Sequence, residues 1–157
     1  MNKKYGTISL ILVVILATVF ISGCIGGGDT NTSDKFPNEE TILGLTFYLP
    51  DGFEFTGKME QATFTLYAYS DGTDFISITV YKSQTKEATL NALKSSNVIV
   101  SNIDEQASFG GYSGISLDAY ADGKDEKIFI FEKGGKAVLI EMSSTLDFES
   151  YVPKIIG

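Results

Sequence analysis

The residues able to do chemistry in this chain are few in kind. Histidine, arginine and tryptophan are absent, all 12 basic residues are Lys, and there is one Cys. Without His no side chain shuttles protons near neutral pH, and without Arg there is no rigid fork for a carboxylate or phosphate. Ser-His-Asp and Cys-His devices are therefore excluded by composition. Ser83-Gln84-Thr85-Lys86 has the Ser-x-x-Lys spacing in which a Lys helps to activate a serine. No Ser-Asp-Asn or Lys-Thr-Gly follows it, and Ser, Thr and Lys are ordinary at a helix start, so it reads as capping. Asp71-Gly72-Thr73-Asp74 and Asp122-Gly123-Lys124-Asp125-Glu126 set carboxylates around turns, where hard cations find oxygen ligands. Neither follows EF-hand spacing, and Asp-Gly is turn chemistry, so no metal site is assigned. Asp118 and Glu141 fall inside strand patterns and are the remaining candidates for a carboxylate pair of the glycoside-hydrolysing kind. Outward-facing strand residues are the simpler account. The chain is therefore expected to be no enzyme, with no catalytic residue and no cofactor.

Recognition is the better-supplied chemistry. Eight Tyr and eleven Phe are many for 157 residues, and Tyr67, Tyr69, Tyr81, Tyr112 and Tyr120 are placed to line a sheet face as a candidate binding surface. Tyr offers large contact area at low entropic cost, although packing beneath helices is the ordinary use of such residues. The formal charge of -8 argues against nucleic acid, which needs a clustered basic surface.

These residues must be held somewhere, and the N-terminus says where. Lys3 and Lys4 precede a nearly unbroken apolar run from Ile8 to Ile21, the pattern of a signal-peptide core. It closes on Ile21-Ser22-Gly23-Cys24, which resembles the lipobox of prokaryotic lipoproteins; the resemblance implies a lipid on Cys24. An uncleaved helical anchor is the other reading, since Tyr5 to Gly28 carries no charge and about 20 apolar residues span a bilayer. Either way the remainder is expected outside, at the outer face of the cell membrane. Cleavage before Cys24 leaves 10 Lys against 20 acidic residues. The single Cys allows no internal disulfide. Residues 1–24 are thus assigned as signal or anchor and 25–41 as a flexible Gly/Ser/Thr/Asp linker. Asn31-Thr32-Ser33 within that linker is a candidate glycan acceptor at Asn31.

Residues 42–157 are left for one domain. Leu45–Leu49 reads as a strand ending at Pro50-Asp51-Gly52, and Thr63–Tyr69 with Phe75–Tyr81 as a hairpin. Thr85–Ser95 changes to helical spacing with Thr85 as N-cap. Ala107–Phe109, Tyr112–Ala121, Lys127–Glu132 and Ala137–Ser143 read as strands, and Phe148–Ile156 as a weak helix despite Pro153. Ile128-Phe129-Ile130-Phe131 and Val138-Leu139-Ile140 are apolar on both faces, so both faces should be covered. The expectation is an α+β fold, an antiparallel sheet covered by one central and one C-terminal helix.

The opening Gly44-Leu45-Thr46-Phe47-Tyr48-Leu49-Pro50-Asp51-Gly52-Phe53, the central helix between hairpins and the closing Tyr151-Val152-Pro153-Lys154-Ile155-Ile156 resemble the PsbP-like domains, including those on prokaryotic lipoproteins. The resemblance implies a PsbP-like sandwich acting as an accessory or partner-binding factor. The expected function is a membrane-tethered accessory module that binds an envelope or membrane protein without catalysis. The alternative is a small-ligand or cation-binding lipoprotein.

Overall fold

The computed structural model describes residues 35–157. Cys24, Asn31 and the signal or anchor segment lie outside the described residues. No described helix is long and apolar enough to cross a membrane. Regular structure begins within the stretch expected as linker, because β1 (Asn38–Ile42) pairs antiparallel with β2 (Leu45–Leu49) as a separate two-stranded sheet.

Seven further strands follow: β3 (Glu54–Glu60), β4 (Phe64–Ser70), β5 (Phe75–Tyr81), β6 (Ile99–Phe109), β7 (Tyr112–Ala121), β8 (Lys124–Lys133) and β9 (Lys136–Ser143). They form one antiparallel sheet in the order β3-β4-β5-β9-β8-β7-β6. Helix α1 (Lys86–Lys94) connects β5 to β6, and α2 (Phe148–Ile156) ends the chain. The caps follow the local sequence: Thr85 Oγ1 accepts from the Ala88 N–H at 3.2 Å, and Asp147 caps α2 by accepting from the Ser150 N–H. Pro153 lies inside α2 and forfeits the bond to the carbonyl of Glu149. The helix survives because Phe148, Val152, Ile155 and Ile156 are all buried along one side.

Alternation along each strand sends its side chains to two faces. One face carries Ile76, Ile78 and Val80 of β5, Phe129 and Phe131 of β8 and Val138, Ile140 and Met142 of β9, roofed by Ile42, Leu45, Phe47 and Leu49 of the small hairpin and by α2. The other carries Ile115 and Leu117 of β7, Ile128 and Ile130 of β8 and Leu139 of β9, covered by Leu90 and Leu93 of α1. These are called here the hairpin face and the helix face. Full burial of Phe47, Phe129 and Phe131 contributes about 1.5–3 kcal/mol each. Gly114 lets Phe129 lie flat on the sheet, since an added Cβ would come within 2.7 Å of that ring.

The expected α+β sandwich, a sheet covered by one central and one C-terminal helix, is therefore corrected. Strand makes up 57% of the described residues and helix 15%, and a two-stranded sheet accompanies the seven-stranded one. Polar edge strands account for the difference. Glu54–Glu60, Asn38–Ile42 and most of Ile99–Phe109 bury few side chains and are held by backbone pairing, so they carry little hydrophobic alternation.

Lys133 ties the roof down. Its Nζ donates to the Thr46 carbonyl at 2.8 Å and to the Ile156 carbonyl at 2.6 Å, beneath the rings of Phe47 and Tyr112. Burial, aided by the charge of Lys35, lowers its pKa.

Candidate functional site

Strand parity separates the two carboxylates considered together from sequence. Asp118 pairs across to Lys127, which pairs to Met142 on the hairpin face. Glu141 is the residue before Met142 and so points through the helix face, where it is buried. The sheet lies between the two groups, and they cannot act on one glycosidic bond. The outward-facing account also fails for Glu141, which is 3% exposed.

The carboxylates of the first turn are spent locally. Asp71 Oδ1 accepts from the N–H groups of Thr73 and Asp74, both at 2.8 Å, and Asp74 Oδ1 accepts from the Thr145 hydroxyl. Among the described residues no group of three or more His, Cys, Asp or Glu is placed to hold a metal ion. Lys86 lies 3.9 Å from Glu87, and Thr85 between Ser83 and Lys86 is the helix cap.

The five tyrosines do not form one surface. Tyr67 and Tyr69 of β4 and Tyr112 of β7 belong to the hairpin-face core, and Tyr120 shares the parity of Tyr112 on β7. Tyr81 packs in the helix-face core. Tyr69 and Tyr81 are buried. Their hydroxyls are held protonated, first by burial and then by the nearby carboxylates of Glu40 and Glu141 respectively. Tyr120, at 44% exposure, is the one of the five open to a partner over much of its surface.

Around Tyr120 the roof of the hairpin face stops short. Two rows run across β6, β7 and β8: Ile99, Tyr120 and Asp125 at the rim, and Ser101, Asp118 and Lys127 further in. With Ser144 these residues line an open hollow of about 310 Å³. Lys127 Nζ lies 5.9 Å from the centre of the Phe148 ring at the start of α2. Asp118 is fixed by Asn102, whose Nδ2 donates to Oδ2 at 2.7 Å, and by Lys127, 3.7 Å from Oδ1. Asn102 reaches it from a left-handed backbone position (φ 49°) in an edge strand that slips register between Ser101 and Asp104. Ile99 is 65% exposed.

The hollow offers an apolar side chain, an amphipathic ring, a hydroxyl, an amine and two carboxylates. Within it Asp118 is already committed to Asn102 and Lys127. Sequence reading missed Ile99, Ser101, Asn102 and Lys127. A signal existed in Val98-Ile99-Val100. Val98 and Val100 pack against the helix-face core, so Ile99 between them had to emerge on the other side. Comparison of the chain with family models, with curated proteins and with solved structures finds no match.

Proposed function

We propose that this chain is a membrane-tethered accessory module of the outer face, a lipoprotein in type, that binds an envelope or membrane protein without catalysis. The observation that carries the reading is the adjoining pair Ile99 and Tyr120, exposed by 65% and 44% and opposite one another on β6 and β7. Apolar and aromatic residues set side by side on a polar rim are what a protein interface uses as its anchor. Asp118 and Asp125 beside them favour a partner segment that brings an apolar side chain flanked by Lys or Arg. The lipobox-like Ile21-Ser22-Gly23-Cys24 supports the tether.

The test places a photo-crosslinking residue at position 99 in the full-length chain in its native membranes, with position 58 on the opposite edge strand as control. A discrete adduct at 99, absent at 58 and lost in Tyr120→Ala, is the expected result. Equal labelling at both positions, or none at 99, overturns the reading. The tether is tested separately: Cys24→Ala is expected to change the mass of the mature chain, and an unchanged mass overturns the lipid.

A further inference from the structure

Glu126 and Glu141 are 1% and 3% exposed and lie diagonally on adjacent strands of the helix face, since Glu126 pairs with Ser143 and Glu141 with Ile128. Glu141 Oε2 accepts from the Ser77 hydroxyl of β5 at 3.0 Å. Neither oxygen of Glu126, nor the second oxygen of Glu141, receives a bond from any other protein donor. Each carboxyl faces the other. No lysine forms an ion pair with either among the described residues. The surrounding elements bring little to balance a charge. Helix α1 buries Thr89, Leu90 and Leu93 here, β7 brings Ala119, and β5 brings Tyr81 with its neutral hydroxyl. The charged groups nearby are Asp122, which repels, and Lys124, the smallest influence on Glu126.

Two buried carboxylates in contact without a cation cannot both be ionised; one proton held between them turns the repulsion into an O–H···O bond. We propose that Glu126 and Glu141 share a proton across neutral pH and form a proton-dependent latch joining β5, β9 and β8, which tightens in acid and loosens in alkali. Burial and the neighbouring carboxyl push Glu126 up to about 10 from an ordinary 4.5, and burial also raises Glu141. The sign follows. Between pH 4.5 and about 10 the folded chain keeps a proton that the unfolded chain releases, so stability from this pair is complete below the lower value and declines as pH rises.

The experiment is chemical unfolding of the full-length chain in detergent from pH 5 to 9, compared with Glu126→Gln. The glutamine amide donates to Glu141 as the protonated acid does and has no proton to lose. The expected result is an unfolding constant that rises up to about tenfold per pH unit more steeply in the native chain than in the variant, with the variant the more stable above pH 8. Equal slopes overturn the proposal. Should the variant fail to fold, infrared spectra of the native chain decide. A buried protonated-carboxyl carbonyl band at pH 7 supports the latch, and its absence overturns it.

Discussion

The part of the sheet built by β7, β8 and β9 carries carboxylates on both faces, Asp118 and Asp125 on one and Glu126 and Glu141 on the other, and the two sets live under opposite rules. On the hairpin face Asp118 has Lys127 and Asn102 at hand and water beside it. On the helix face, one residue along each strand, Glu126 and Glu141 have one another and the Ser77 hydroxyl. Parity alone assigns a side chain to one regime or the other. In the open regime a charge contributes little because solvent screens it; in the closed one it is tolerated only by giving up ionisation.

Substitutions on either face sharpen that contrast. The largest effect is expected from Ile128→Asp, which adds a third carboxyl opposite Glu141 on the closed face. It should cost about 4 kcal/mol or more at pH 7, read as a denaturant midpoint. Ser77→Ala removes the hydroxyl that binds Glu141 and should cost about 1–3 kcal/mol; a neutral outcome would mean that bond does not hold the latch. Asp118→Asn on the open face should change stability by under about 1 kcal/mol, with the difference erased in molar salt. Ile99→Ser should leave stability within about 0.5 kcal/mol while abolishing crosslinking to a partner from a photo-reactive residue placed instead at position 125 on the same rim. If Asp118→Asn proved as costly as Ser77→Ala, the division into two regimes would be wrong.

Sequence patterning recovers what burial dictates. Phe64–Ser70, Phe75–Tyr81, Tyr112–Ala121 and Lys136–Ser143 alternate or run apolar and are strands, and Thr85 is the cap its position suggests. The edges are illegible for a physical reason, since β3 and the middle of β6 are held by backbone bonds that leave no side-chain signature. The face of Glu141 was legible: in a strand apolar on both sides, the residue between Ile140 and Met142 shares the direction of Leu139. Its partnership with Glu126 was not, because it depends on the register between β8 and β9, and Glu126 beside a turn looks like any solvated acid. The hollow around Tyr120 depends on the register of β6, β7 and β8, which periodicity does not state.

The Lys133 clip sets a schedule for folding. Its bond to Thr46 spans 87 positions in the chain, and its second bond is to Ile156, the last residue of α2. During synthesis the small hairpin is made early, yet Ile42, Leu45, Phe47 and Leu49 have no seat until β5, β8, β9 and α2 exist. The apolar side of that hairpin must wait unprotected while about a hundred residues follow, a slow and aggregation-exposed interval of the kind long-range closure imposes. A chain stalled before α2 would be an unsealed sheet, and its vulnerability to proteases would lie at the beginning of the domain although the missing part is at the end.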